Sequence, residues 1–180
     1  MEKHKDRRIT KTKHLLCESL LSLLDSTPMN QITVKELCDK ADINRNTFYY
    51  HFECIDDLLF EIIHNFKQQI LSLFSSVTDT HQYALELCHL YKQNAHLVLV
   101  LLNGNVNVSF IYQLLDLNYI PTYNALSQKH SNETLISLMS TYIQVSTFTI
   151  ISKWLKSGYS ISEEEIATIL CQIWNSDFVY

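Results

Sequence analysis

The stretch that decides the fold is residues 32–59, ITVKELCDKADINRNTFYYHFECIDDLL. A T-x-x-E capping box that begins at Thr33 predicts a short helix over about residues 34–41, because each side chain of the box satisfies a backbone donor of the first turn. Residues 42–44 interrupt this helix, and an asparagine at the end of the break favours a second helix through residues 44–51. Two short helices with a three-residue break predict a helix-turn-helix.

Amphipathic helices flank this stretch on both sides. Leucines recur at helical spacing from Thr10 to Leu24, and a long apolar stripe follows the acidic start at Asp56. We expect Ile43 and Phe48 to pack the two short helices against the first helix. The opposite side of the second short helix then keeps polar and aromatic residues, namely Arg45, Asn46, Thr47, Tyr49 and Tyr50.

The rest of the chain also has helical periodicity. Only two glycines and two prolines occur in 180 residues, which is too few for the turns of an all-β protein. Helices are predicted at about residues 81–93, 95–102, 108–129 (divided near Pro121), 133–156 and 162–175. The predicted fold class is therefore all-α, with about nine helices.

Composition narrows the class of protein further. Residues 1–51 carry nine Lys and Arg against seven Asp and Glu, whereas residues 52–180 carry five against twelve. Such asymmetry is expected when one end of a chain meets a polyanion. No apolar stretch approaches the roughly 18 residues of a membrane span, and the start does not resemble a signal peptide. We expect a soluble, cytoplasmic protein without a membrane partner.

Catalytic and metal-binding motifs are not evident in the sequence. There is no glycine-rich phosphate loop, no Ser/His/Asp arrangement and no paired-carboxylate motif, and residues 163–165, three glutamates, are interpreted as a helix cap. The five cysteines contain no CxxC pair, which argues against a zinc ribbon. Cys88, His89 and His96 form the one cluster of possible ligands, and a core role is the preferred interpretation. We expect neither an enzyme nor a bound cofactor or metal.

The motif Thr-Phe-Tyr-Tyr-His-Phe at residues 47–52, followed by the acidic helix start, resembles the signature of TetR/AcrR-family transcriptional regulators. The resemblance is strong over residues 9–60. Further on, Trp154-Leu155-Lys156-Ser157-Gly158 with Ser162-Glu163-Glu164 resembles the last two helices of a Firmicutes-type branch. The resemblance implies a DNA-binding domain at residues 1–55 and an effector-binding and dimerisation domain at residues 56–180.

The resemblance also implies roles for particular residues. A dimer is expected to bind a palindromic double-stranded DNA operator through the second short helix. Arg45 suits a bidentate contact to guanine, and Thr33 lies where a helix N-terminus meets a phosphate. The predicted DNA-binding residues are Thr33, Asn44, Arg45, Asn46, Thr47, Tyr49, Tyr50 and His51.

Three positions depart from the family pattern. Asp42 stands where a glycine is usual in the turn, and it tolerates a left-handed backbone less well. Asn46 replaces a small residue beside the base edges. Ile55 replaces a lysine that would bind a phosphate. With one phosphate contact fewer, the slope of the logarithm of DNA affinity against the logarithm of salt concentration should be smaller by about one unit.

For the C-terminal domain, the resemblance implies a pocket for an unknown small-molecule effector and a homodimer formed by the last two helices. Repression is the commoner outcome in the family, and control of an activator or co-regulator by a protein partner is the alternative. The predicted pocket residues are Tyr91, His96, Tyr112, Tyr123, Tyr142 and Gln144. The predicted dimer-interface residues are Trp154, Ile166, Ile169, Leu170, Ile173 and Trp174.

Overall fold

The structure is a computed structural model that describes residues 2–77, 79–115, 126–128 and 131–175, with side chains for all of these except residues 2–8 and 74. This part of the chain consists of helices, turns and bends without a strand, which confirms the all-α prediction. The helices are α1 (Glu2–Leu24), a 3-10 turn (Met29–Gln31), α2 (Val34–Ala41), α3 (Arg45–His51), α4 (Ile55–Ser76), α5 (Thr80–Gln93), α6 (Ala95–Leu101), α7 (Val108–Leu115), α8 (Glu133–Lys156) and α9 (Glu163–Trp174).

Local capping explains why several helices begin where they do. Asn132 Oδ1 accepts a hydrogen bond from the Leu135 amide at the start of α8, at 3.2 Å. Ser162 and Glu165 form a complete capping box at the start of α9, as the sequence predicts. The α1 helix begins eight residues earlier than predicted, and α7 is described as far as Leu115. The predicted helix break at Pro121 lies outside the described residues.

The chain divides into two compact units. The N-terminal unit comprises Met1–Asn65 with Val100–Phe110, and the C-terminal unit comprises Phe66–Leu99 with Ile111–Tyr180. The predicted boundary between residues 55 and 56 lies at the start of α4, ten residues before this division. A segment between α6 and α7 therefore belongs to the N-terminal unit although its neighbours in sequence do not.

A core of leucine and phenylalanine holds the N-terminal unit together, with α1 packed on α2 and α2 packed on α3. Burial of each such side chain stabilises the fold by about 1.5–3 kcal/mol relative to exposure. The side chains of this core with no exposed surface are Leu16, Leu20, Leu24, Leu37, Phe48, Leu58 and Leu59.

The C-terminal unit is built around the packing of α5 on α9 and an aromatic cluster. The Tyr91 ring lies 5.1 Å from the Phe66 ring and 6.4 Å from the Phe148 ring, measured between centroids. Exposed ion pairs add little to this packing. Among them, Lys92 binds Glu163 at the edge of the α5–α9 contact.

The α8 helix has one buried and one exposed face. Ile143, Phe148 and Ile151 are buried, whereas Leu138 is 65% exposed. With no charged residue between its first turn and Lys153, α8 is long and apolar enough by composition to cross a membrane, at a mean hydropathy of 1.4. The expectation that no apolar stretch reaches this length is therefore wrong for α8, because serines and threonines interrupt the apolar run without lowering its average sufficiently. One such helix is weak evidence for a membrane span, since core helices of soluble proteins can have the same length and composition.

The left-handed Asp42 in the α2–α3 turn gives a prediction about stability. Asp42→Gly removes left-handed strain of about 1–2 kcal/mol from the folded state. Glycine also destabilises the folded state by about 0.5–1 kcal/mol, because its unfolded chain has more conformational entropy to lose. We expect the free energy of unfolding to rise by about 0.5–1 kcal/mol in urea denaturation. The control, Lys40→Gly inside α2, should lower it by a similar amount. A glycine variant at residue 42 that is no more stable than the wild type would contradict this account of the turn.

Candidate nucleic-acid interface

The turn between α2 and α3 has the backbone geometry of a helix-turn-helix. Asp42 has φ 54° and ψ 43°, the left-handed conformation that the sequence predicts for this position. The Ile43 amide donates to the Cys38 carbonyl at 3.0 Å, which closes α2. Asn44 then begins α3 as its N-cap, and its Oδ1 accepts from the Asn46 amide at 2.8 Å.

The seven-residue helix α3 has an anchored face and an exposed face. Phe48 is fully buried, and its ring meets those of Tyr49 and Phe52 at centroid distances of 5.4 and 5.7 Å. The opposite face is open, with Tyr49 57% and Tyr50 71% exposed. Arg45 and Asn46 are also exposed in the first turn of the helix. Donors for bases and phosphates are therefore presented on one side of α3.

The remaining predicted DNA-binding residues lie at the edges of this face. Thr33 is exposed, and its Oγ1 accepts from the Glu36 amide at 3.1 Å, which is one half of the predicted capping box. Thr47 and His51 are half-buried. The His51 ring lies edge-on to the Tyr50 ring, 4.9 Å between centroids. The Thr33 and Asn44 caps fix the first turns of α2 and α3. The contact between the Tyr50 and His51 rings restricts these two side chains at the other end of α3.

The helix-turn-helix carries little net charge of its own. Residues 33–51 contain three Lys and Arg and three Asp and Glu, whereas residues 1–14 contain six Lys and Arg against two acids. Burial raises the pKa of the Cys38 thiol, and the nearby Arg45 charge opposes this with a smaller effect. The thiol therefore adds no negative charge at neutral pH. Attraction to a polyanion is concentrated at the start of the chain rather than in α2 and α3.

Two contacts that the sequence analysis missed support the α3 region. Lys13 Nζ in α1 donates to both carboxylate oxygens of Glu61 in α4, at 2.8 and 2.7 Å, and lies 5.3 Å from the Phe52 ring. Asp57 Oδ2 accepts from the amides of Glu53 and Cys54, which fixes the α3–α4 connection. A pair 48 residues apart leaves no periodic signal in the sequence.

Ile55, where the family pattern has a lysine, is buried at the first residue of α4. The position therefore contributes to the core of the N-terminal unit in this chain. Burial of this isoleucine stabilises the unit by about 1.5–3 kcal/mol, and the expected loss of a phosphate contact stays a prediction.

The residues predicted to form an effector pocket are in different environments. Tyr91 is buried in the aromatic cluster, and burial raises the pKa of its hydroxyl. Tyr112 and Tyr142 are more than half exposed. His96 is exposed and Gln144 is half-buried, and Tyr123 lies outside the described residues. Among the described residues, no group of His, Cys, Asp and Glu is arranged to hold a metal ion.

The residues predicted for a dimer interface divide into internal and outward ones. Trp154, Ile166 and Leu170 are buried within the C-terminal unit. The Trp154 indole donates to the Ile161 carbonyl at 2.8 Å, and the Trp174 indole donates to Thr147 Oγ1 at 2.9 Å. The tryptophans thus connect α8 and α9 of one chain. Ile169 is exposed, and Ile173 and Trp174 are half-buried.

Comparison with known proteins agrees with this architecture. A TetR-family profile described as a transcriptional regulator C-terminal region matches residues 78–176, more than half of the 180 residues. The chain belongs to the TetR family of transcriptional regulators. This assignment confirms the predicted resemblance to TetR-family regulators. It also confirms the prediction that the chain is a transcriptional regulator rather than an enzyme. The Firmicutes-type branch stays a prediction.

Solved structures share the fold over 90–98% of the chain. A TetR transcriptional regulator from Streptococcus agalactiae 2603V is 21% identical with a TM-score of 0.71, covering 98% of this chain and 100% of that one. The dihydroxyacetone kinase operon activator DhaS is 20% identical with a TM-score of 0.58, covering 91% and 93%. A TetR-family regulator from Streptomyces coelicolor is 14% identical with a TM-score of 0.63, covering 90% and 80%. No curated protein matches the sequence.

The exposed face of α3 gives a prediction about DNA binding. Arg45→Ala should cost about 1–3 kcal/mol of discrimination, the value of a bidentate base contact, and Tyr50→Ala should weaken binding by about 1 kcal/mol. Fluorescence anisotropy with a duplex enriched from a random pool measures both. Because both side chains are exposed, circular dichroism and thermal melting should be unchanged.

The matched control is Tyr159→Ala, which removes an exposed tyrosine outside the helix-turn-helix and outside the predicted pocket. Its DNA affinity should equal that of the wild type. Wild-type affinity in both the Arg45 and the Tyr50 variants would show that α3 is not the recognition helix.

Proposed function

We propose that the protein is a homodimeric TetR-family regulator that binds a palindromic DNA operator through α3, with repression as the expected outcome. The observation that carries the proposal is the pairing of a fully buried Phe48 with the exposed Arg45, Asn46 and Tyr50 on one short helix. Such a helix enters the major groove with its first turn toward the base edges. Cytoplasmic location follows from this role.

Short recognition helices favour a dimer for a physical reason. A seven-residue helix contacts few base pairs, so one copy discriminates weakly among the many competing sites in a genome. Two copies related by a two-fold axis read two half-sites about 34–36 Å apart, and their discrimination adds. The proposal therefore requires an interface that holds two copies at a fixed spacing.

The exposed apolar face of α8 supports such an interface. Leu135, Leu138, Tyr142 and Val145 are each at least 41% exposed and recur at spacings of three, four and three residues. This is the seam pattern of helices that pair at a shallow angle. Ile169 extends the apolar surface onto α9. We propose that α8 and α9 pair with their copies, with Ile169, Ile173 and Trp174 at this surface and the buried Trp154, Ile166 and Leu170 as its support.

A charged residue on this face should separate the copies. Leu138→Glu removes a leucine whose burial in the proposed dimer is worth about 2 kcal/mol. Because of the two-fold symmetry, each dimer loses this contribution twice. We expect dimer dissociation to rise roughly 10³-fold and sedimentation equilibrium to give the 21.1 kDa mass of one chain. Ile169→Glu should act in the same direction.

The control for this variant is Leu138→Met, which keeps an apolar side chain of similar volume and should remain dimeric. A wild-type mass for both glutamate variants would exclude the α8–α9 surface as the interface.

Control of DNA affinity is proposed to reside in the C-terminal unit. A small molecule that binds two states with different affinity shifts their populations and thereby changes DNA affinity. A second candidate is a TetR-like activator or co-regulator that answers to a protein partner. Two observations support this second candidate. The chain is similar to DhaS, whose name describes an operon activator, and the exposed apolar face of α8 could bind a protein partner.

Selection of randomised duplex DNA with the full-length protein at about 100 mM salt tests the proposed function. The low net charge of residues 33–51 leaves base contacts as the main source of discrimination. We expect enrichment of a palindrome with two half-sites about one helical turn apart. Recovery of sequences without a common motif, bound only at low salt, would contradict sequence-specific regulation.

A further inference from the structure

The segment between α6 and α7 belongs to the N-terminal unit, which also contains the helix-turn-helix. Val100–Phe110 is assigned to this unit, whereas the residues immediately before and after it belong to the C-terminal unit. Three peptide connections therefore join the two units along the chain, at residues 65/66, 99/100 and 110/111. A domain joined by a simple linker has one such connection.

Two asparagines of this segment bind the C-terminal end of α1. The Leu24 carbonyl accepts hydrogen bonds from Asn103 Nδ2 at 2.8 Å and from Asn105 Nδ2 at 2.9 Å. The Met29 amide, in the turn that leads to α2, donates to the Asn105 carbonyl at 2.8 Å. These bonds satisfy backbone groups that a helix end leaves without partners. We call Asn103, Gly104 and Asn105 the clamp.

The clamp is well defined within its own turn. The Asn105 amide donates to Asn103 Oδ1 at 2.9 Å, so both ends of the Asn103 side chain are engaged. Gly104 has φ 85°, a left-handed conformation that a larger residue would adopt only with strain. This turn brings both asparagine amides to one carbonyl.

Apolar packing on either side of the clamp keeps the segment in the N-terminal unit. Leu101, Val106 and Phe110 are buried. The Phe110 ring lies 6.5 Å from the Phe60 ring of α4, edge to face. The segment is thus part of the core of this unit, and the clamp is its polar contact with α1.

We propose that Asn103 and Asn105 are positioning residues for DNA recognition, through which the C-terminal unit controls the orientation of α3. The proposal rests on the proposed function. The clamp binds Leu24, the last residue of α1, and Met29 in the connection to α2, and α2 in turn packs on α3. A change at the clamp therefore alters the angle of α3 while leaving its own residues and charges intact.

The connectivity explains why this position suits regulation. The clamp segment continues directly into α6 on one side and α7 on the other, so a change in either helix acts on the clamp through the peptide chain. Coupling of this kind is reciprocal: DNA binding at α3 must change the stability of the hydrogen bonds near the clamp.

The test is the double variant Asn103→Ala/Asn105→Ala in the full chain, with Asn30→Ala, an exposed asparagine of the same unit, as control. Affinity is measured for the duplex enriched by selection with the wild type and for poly(dI-dC), at a temperature at which every variant is folded. We expect specific affinity to fall roughly tenfold, within the range of allosteric couplings. Affinity for poly(dI-dC) should stay within about twofold, because no phosphate-binding charge has changed.

Each outcome decides the proposal. Unchanged specific affinity overturns it, and an equal fall in both affinities reduces the clamp to a purely structural role and also overturns it. The single variant Asn103→Ala, which keeps the hydrogen bonds of Asn105 to Leu24 and Met29, provides the same comparison with an intermediate loss if the double variant does not fold. If the wild type enriches no DNA sequence, the proposed function itself is wrong. This outcome is distinct from a wild type that enriches a sequence and variants that bind it equally well, which overturns only the role of Asn103 and Asn105.

Hydrogen exchange tests the regulatory half of the proposal. Binding of the enriched duplex should slow amide exchange in residues 95–115 of the wild type, and the double variant should lose this response while still binding poly(dI-dC). An identical DNA-induced change in both proteins, or none in the wild type, would overturn control through the clamp.

Discussion

Burial of Phe48 is the constraint on which the proposed DNA-binding surface depends. The helix that carries it has seven residues, far fewer than the roughly 12–15 that an isolated helix needs to persist in water. Its stability therefore comes from packing. A fully buried phenylalanine contributes about 1.5–3 kcal/mol, more than the roughly 1 kcal/mol expected from the Asn44 cap. Because Phe48 points inward, Arg45, Asn46 and Tyr50 are fixed on the outside.

The position of α3 around Phe48 depends on contacts from distant parts of the N-terminal unit. The left-handed Asp42 sets the angle between α2 and α3, and the Lys13–Glu61 pair joins α1 to α4 beside Phe52. The end of α1 is completed by amides from residues 103 and 105, some 80 positions along the chain. The compact unit that carries the helix-turn-helix therefore extends to residue 65 and includes residues 100–110.

Local features of the fold could be predicted from the sequence because their causes are local. The bounds of α2 and α8, the Asn44 cap and the Ser162–Glu165 capping box depend on residues within one or two turns, and they agree with the structure. The left-handed backbone at Asp42 followed from a family position that usually holds glycine. These features include the face of α3 that carries the candidate site.

Long-range features could not be predicted in this way. Helical periodicity identifies an apolar face without indicating whether it meets its own chain or a second copy. Trp154 and Trp174 form hydrogen bonds within the C-terminal unit, whereas Leu138 and Tyr142 are exposed. The residues expected to line a pocket likewise range from the buried Tyr91 to the exposed Tyr112. Their environments depend on helix packing, which no single segment specifies.

The central claim, that α3 enters the major groove of DNA as one of a symmetric pair, is tested most directly by dimethyl sulfate protection. This reagent methylates guanine N7 in the major groove and adenine N3 in the minor groove. On the enriched duplex we predict protection of guanine N7 in two half-sites about one helical turn apart, and loss of that protection with Arg45→Ala. Protection confined to adenine N3, or strong binding without protection of guanine N7, would contradict the account.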